Sequence, residues 1–242
     1  MEPIKTTGIV VHSTTVGDYN KMLTVLSADF GRISVWAKGA KSQKHDAHSS
    51  MALLSYSEFV LLPKGDVYTL SSATLKESFY GLRNSLEELA YAMYFASFAD
   101  TVAPQGMEAG EILRLLLNSL YFLEKNLKEK EDLRLMFELF ALTVEGYAPT
   151  FDACSECGNE AALWFDVQSG GVVCDSCRTQ SSRKISDAAR QLMNFYTSSS
   201  LKDALYFKAD PDAVREGTKL CEEFIKIHIG HISALDYLKS VI

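Results

Sequence analysis

An α+β chain of more than one domain is what this sequence predicts, on three observations. Strand-like runs rich in β-branched and aromatic residues fill roughly the first third, each bounded by Gly, Pro, Asp or Ser. After Tyr80 the apolar residues recur instead at i, i+3 and i+4, the helical period. Between Cys154 and Cys177 two Cys-x-x-Cys pairs stand sixteen residues apart. Together these predict an N-terminal OB-fold β-barrel over residues 1–80. An all-helical domain over 81–242 follows, interrupted at 150–180 by a four-cysteine zinc ribbon.

The barrel strands are expected at Thr6–Ser13, Lys21–Ser27, Arg32–Lys38, Ala52–Leu62 and Asp66–Leu75. Val16-Gly-Asp18, Ala28-Asp-Phe-Gly31, the polar stretch Gly39–Ser50 and Pro63-Lys-Gly65 join them. Five short strands in so little chain suit a small closed barrel of the OB type, with an SH3-like barrel as nearest competitor. Charge also sets this region apart. Residues 1–80 carry eight Lys/Arg against seven Asp/Glu, while the rest carries sixteen against twenty-four. Phe30–His45 holds Arg32, Lys38, Lys41 and Lys44 and no acid, with Trp36 among them. Spaced cations beside a flat ring are what a strand of nucleic acid needs, charge for phosphates and a π-face for a base. A solvated basic loop is the plainer alternative.

Helices follow. Asn84-Ser-Leu-Glu87 reads as a capping-box-like start, opening a helix to about Thr101 with Leu86, Leu89, Ala90, Met93 and Ser97/Phe98 on its inner stripe. Pro104-Gln-Gly106 breaks it, and a second helix spans Met107 to about Leu127. Leu127–Asp132 reads as a charged connection to a third, Leu133–Glu145. Ser186 caps Asp187–Thr197. Asp210-Pro211 opens another helix to about Ile229, closed by Gly230. His231–Val241 is a short last helix. Cys221, His228 and His231 could be taken for a second metal site, but without a fourth ligand core packing is the better reading. Tyr91, Tyr94, Phe95 and Phe98 likewise read as core rather than as a stacking platform.

Cys154, Cys157, Cys174 and Cys177 have the spacing of a four-thiolate zinc site. Two short apolar runs split by Ser169-Gly-Gly171 lie between them and predict a β-hairpin. Four sulfurs leave no open position for water or substrate, so the Zn2+ expected here is structural. Unliganded thiols or two disulfides are the alternative. A deaminase would need His-x-Glu and Pro-Cys-x-x-Cys, and neither occurs. Walker, Gly-x-Ser-x-Gly and His-Glu-x-x-His patterns are missing too, so no catalytic residue is nominated and no enzyme is expected.

At 242 residues, 47 % hydrophobic and 23 % charged, the composition is that of an ordinary soluble protein. With no span-length apolar run or signal-peptide core, and with cysteines in metal-ligand spacing, the expected location is the cytoplasm, with no membrane partner. The net charge of −7 leaves room for a local basic groove.

Gly17-Asp-Tyr-Asn-Lys-Met-Leu-Thr-Val-Leu-Ser27, then Gly31-Arg-Ile, then Val35-Trp-Ala-Lys-Gly-Ala-Lys-Ser42 resemble the N-terminal domain of the RecO family of bacterial recombination mediators and DNA-repair proteins. The layout of barrel, helices, interrupting ribbon and a Leu238-Lys-Ser240 ending is similar as well. Gln43, His45 and Asp46 stand where the family often has further Arg and Lys. The resemblance implies binding of single- and double-stranded DNA and annealing of complementary strands. It further implies, with RecR, loading of the recombinase onto DNA coated by single-strand-binding protein, whose acidic C-terminal tail is a partner. Nucleoid association would follow. On this reading Arg32, Lys38, Lys41 and Lys44 supply charge and Trp36 stacks. The competing reading is a zinc-stapled adaptor whose barrel binds protein. A zinc hydrolase, needing an open metal position, comes third.

Overall fold

The structure is a computed structural model that describes residues 2–40 and 45–242. Five strands close a barrel in the order β1-β2-β3-β5-β4: β1 (Ile4–Val16), β2 (Asn20–Ser27), β3 (Gly31–Ala37), β4 (Tyr56–Lys64) and β5 (Val67–Glu77). All neighbours are antiparallel except β3 and β5, which run parallel. This is the OB arrangement the sequence predicts. Alternation puts Val10, Leu23, Val25, Ile33, Val35, Phe59 and Leu61 inside, while the outward residues of β3 are half-buried.

Two expectations about the barrel need correction. The first strand runs longer than Thr6–Ser13, because a bulge between Val10 and His12 bends it and lets it continue to Val16. The fourth does not start at Ala52. A short helix α1 (His45–Ser50) lies within the polar stretch taken for a joint, and Leu54 takes a left-handed backbone (φ 66°) that no strand tolerates. Backbone bonds from Leu54 and to Ser55 engage Val10 at the bulge, and the Ser55 and Ser57 hydroxyls donate to the Ser49 and Ser50 carbonyls. Met51 thus joins the barrel core, and Leu54 is buried where its N–H bonds Val10 O, instead of extending the sheet.

A 3-10 turn (Tyr80–Asn84) leads into α2 (Leu86–Val102), α3 (Gly110–Glu124) and α4 (Lys130–Val144). Ser85, one residue later than read, caps α2 by accepting the Glu88 N–H. The inner stripe of α2 is also displaced. Leu86 and Met93 are exposed, and Tyr91, Tyr94, Phe95 and Phe98 fill the interior, as core residues and not a platform. Helix α3 begins at Gly110 rather than Met107 because the preceding backbone is already engaged. Arg32 N–H donates to Pro104 O, Gly106 N–H to Phe30 O and Ala109 N–H to Ala28 O. Gly31 makes that approach possible. Its φ is +61°, and a Cβ there would sit 2.2 Å from Pro104 O.

Helix α4 starts at Lys130, so the charged connection read over Leu127–Asp132 is partly helix, and two of its charges are buried. Lys128 and Asp132 form a buried ion pair at 2.7 Å, with the Tyr196 hydroxyl donating to Asp132 and Lys128 donating to Phe207 O. Beyond it the chain holds β6 (Trp164–Asp166), β7 (Gly171–Val173) and β8 (Arg183–Lys184). Helices α5 (Asp187–Ser198), α6 (Leu201–Tyr206), α7 (Pro211–His228) and α8 (Ser233–Val241) follow. Ser186 and Asp210 cap α5 and α7 as read, and α6 is an addition to the expected elements. By contacts the chain divides into two compact units, Met1–Glu124 with Ala234–Ile242, and Lys125–Ser233. Among the described residues no helix is long and apolar enough to cross a membrane.

Candidate functional site

Two sites were legible in the sequence, one in each unit. The cysteine site is built on a three-stranded sheet in the order β7-β6-β8, the expected hairpin turning at Ser169-Gly170-Gly171 and a third strand added at its edge. Each Cys-x-x-Cys pair folds into a tight turn. Gly158, at φ 75°, donates to Cys154 O, and the backbone N–H groups of Cys177 and Arg178 both donate to Cys174 O. The four sulfurs all lie within 4.8 Å of one another, and all are free thiols.

A tetrahedron with Zn–S bonds of 2.3 Å has edges of about 3.8 Å, and Cys157 and Cys174 stand 3.7 Å apart. Burial pushes the Cys154 thiol up, but N–H groups of Cys174, Cys157 and Glu156 outweigh it and hold this thiol down at about 6. Cys177 is pushed up to about 12 by the Cys157 and Cys174 thiols beside it. One thiolate therefore forms readily while further negative charge meets resistance, which is the demand a cation satisfies. The donor set fits a soft divalent ion.

On β6 of the same ribbon, Asp166 is buried and accepts from the Thr179, Ser181 and Ser182 hydroxyls and from the Gln168 and Ser169 N–H groups. Burial opposes its charge, but these bonds hold its carboxyl down at about 2. Phe165 stacks on Phe151 and meets Phe224, while His228 bonds Val167 O at 2.7 Å, so α7 supports the ribbon. Cys221 lies buried beside Glu138, away from this group, as packing.

The residues read for nucleic acid separate along the outer face of β3. Arg32, at one end, donates to the Asp100 carbonyl at 3.2 Å in the last turn of α2. Burial raises the neighbouring Asp100 carboxyl, with Arg32 and His12 opposing. Trp36, at the other end, is half-buried, and Lys38 two positions on is exposed. Asn20 accepts from the Gly39 N–H and fixes the exit of that segment. Lys41 and Lys44 lie outside the described residues.

Trp36 faces Met22 across β2 and Thr69 across β5. With Lys64 and Val67 these side chains line a cleft of about 330 Å³. Sequence reasoning did not gather this set, because Thr69 reaches Trp36 through a parallel pairing between strands far apart in the chain. Lys64 in the Pro63-Lys-Gly65 turn was the one local signal. The β2–β3 face and the hairpin after β4 are where OB barrels generally hold oligonucleotides.

Residues 1–79 match the family model described as Recombination protein O N terminal, and residues 83–234 the one described as Recombination protein O C terminal. A protein of Acetivibrio thermocellus named DNA repair protein RecO is 32 % identical over 246 residues, spanning 100 % of this chain and 98 % of that one. Proteins of the same name from Alkaliphilus metalliredigens (28 % identity, 95 % of each chain) and Caldicellulosiruptor bescii (33 %, 76 % of each) are similar too.

Proposed function

Since this chain belongs to the RecO family, we propose that it is a DNA-binding recombination mediator in DNA repair. It binds single- and double-stranded DNA, promotes annealing, and with RecR loads recombinase onto DNA coated by single-strand-binding protein. The acidic tail of that coating protein is a partner, the place of action is the cytoplasmic nucleoid, and the protein is not an enzyme. The observation that carries this is the family match over nearly the whole chain. A barrel that keeps the usual oligonucleotide face open beside lysines supports it.

Annealing asks for no catalytic group. Two strands repel through their phosphates, and a surface that neutralises phosphates on both lowers that repulsion while weak contacts let register be searched. Residues 1–80 form the nucleic-acid-binding domain on this reading, and 81–242 the helical domain with the ribbon at 150–180. Lys38, Lys41 and Lys44 meet phosphates and Trp36 meets a base. Arg32 mainly ties β3 to α2 through the Asp100 carbonyl. Cys154, Cys157, Cys174 and Cys177 hold a Zn2+, which neutralises the thiolates and fixes the two turns without entering any reaction.

Fluorescence anisotropy of a labelled single strand tests the reading. Lys38→Glu with Lys41→Glu should weaken binding in a barrel that stays folded, and flatten the log–log salt slope by about 1.4, roughly 0.7 per lost contact. Unchanged affinity in the folded double variant would move the DNA surface elsewhere. Absence of binding by the wild type at low salt would favour the adaptor, whose barrel binds protein.

A further inference from the structure

We propose that the cleft beside Trp36 receives one unpaired nucleobase, stacked on the indole, with Lys64 against the adjoining phosphate. The inference rests on the DNA-binding reading of the barrel and names what that surface selects.

The walls carry the argument. Among the described residues that line the cleft, Met22, Trp36 and Val67 are apolar, Thr69 offers one hydroxyl, Lys64 is the one charge, and there is no carboxylate. An apolar slot with one cation at its rim matches a base joined to a phosphate. The backbone of Trp36 is held before any ligand arrives, paired to Met22 on one side and Thr69 on the other. Backbone ordering is therefore not left to be done on binding. The other end of the same face is already occupied: Leu26, opposite Arg32, is fully buried, and Arg32 itself is turned to α2. Trp36 is therefore the aromatic that β3 leaves to solvent.

Stacking tolerates any base, because each has a π-face. Inside a duplex both faces of a base are covered by its neighbours, so entry requires a nucleotide out of the stack. The cleft accordingly favours single strands over duplex, and Lys38 at the end of β3 continues the phosphate path.

The chain has two tryptophans, Trp36 and Trp164, so Trp164→Phe leaves Trp36 as sole reporter. Its fluorescence should be quenched by oligo-dT and not by a strand of abasic sites that carries the same charge. Trp36→Ala should weaken single-strand binding roughly tenfold with little change on duplex, and Trp36→Phe should restore part of the loss. Equal quenching by the abasic strand would overturn the base site and leave a charge contact. So would a folded Trp36→Ala protein that binds single strands as the wild type does. In both cases the DNA-binding reading would stand. Failure of the wild type to bind either form of DNA at low salt would sink that reading and this inference together.

Discussion

Cys174→Ser is expected to abolish metal binding at the four-cysteine site and to unfold the ribbon while the barrel keeps its fold. The ribbon has little else to hold it. Strands β6 and β7 are three residues each and β8 is two, whereas an isolated hairpin is marginal even at greater length. Metal binding in small zinc peptides supplies about 10–16 kcal/mol, as much as a typical domain's whole stability of about 5–15 kcal/mol. Serine keeps the shape of the side chain but offers no thiolate, so three ligands remain and the tetrahedron is open. Metal content per chain should fall towards zero. Fluorescence from Trp164, packed against Arg178 and bonded to Asp175, should shift to the red, while Trp36, read alone in a Trp164→Phe background, should not change. A Cys174→Ser protein with one metal per chain and wild-type melting would refute the four-thiolate site.

Arg134→Leu should cost about 3–5 kcal/mol, the usual penalty for removing one partner of a buried ion pair. Arg134 is almost wholly buried and binds Glu138 at 2.8 Å and Glu222 at 2.7 Å, with Glu131 at 3.6 Å. Glu138 is itself fully buried on α4, so loss of the guanidinium strands a carboxylate in the core beside the Cys221 thiol, which burial already pushes well up. Urea unfolding followed through Trp164 should show a lower midpoint. Replacing Glu138 and Glu222 by Leu in the same protein should recover most of the loss, because an apolar triad has no charge to desolvate. A single Arg134→Leu variant with an unchanged midpoint would mean that water reaches this cluster.

These two cases differ in how far the sequence announced them. The cysteine quartet was legible because its chemistry is written in spacing: two turns of the same type each bring two sulfurs to one face, whatever surrounds them. Arg134 was not, since a cation between Glu131 and Glu138 on a helix reads equally well as a solvated face. What buries it is Glu222 from α7, eighty-eight residues away. Lys128 and Asp132 were misread for the same reason. The barrel strands stood out through local alternation and turns, but α1 and the left-handed Leu54 did not. Met51 and Leu54 are both buried apolar residues, and an apolar run is as good a strand signal as any. The cleft wall at Trp36 needed the pairing of β3 with β5, which no local pattern encodes.

That pairing is also the barrel's shortest ladder. Among the described residues β3 and β5 meet at Val35 with Tyr68 and Trp36 with Thr69, whereas β2 and β3 pair all the way from Lys21 to Ser27. A ring is as durable as its weakest clasp, and local opening begins where the fewest bonds must break together. Amide protons along this seam are the ones to exchange first, before those of β1 and β2. A strand of DNA lying across Trp36 would span the clasp from both sides. If DNA binds there as proposed, it would tighten the barrel itself, closing its shortest ladder from outside.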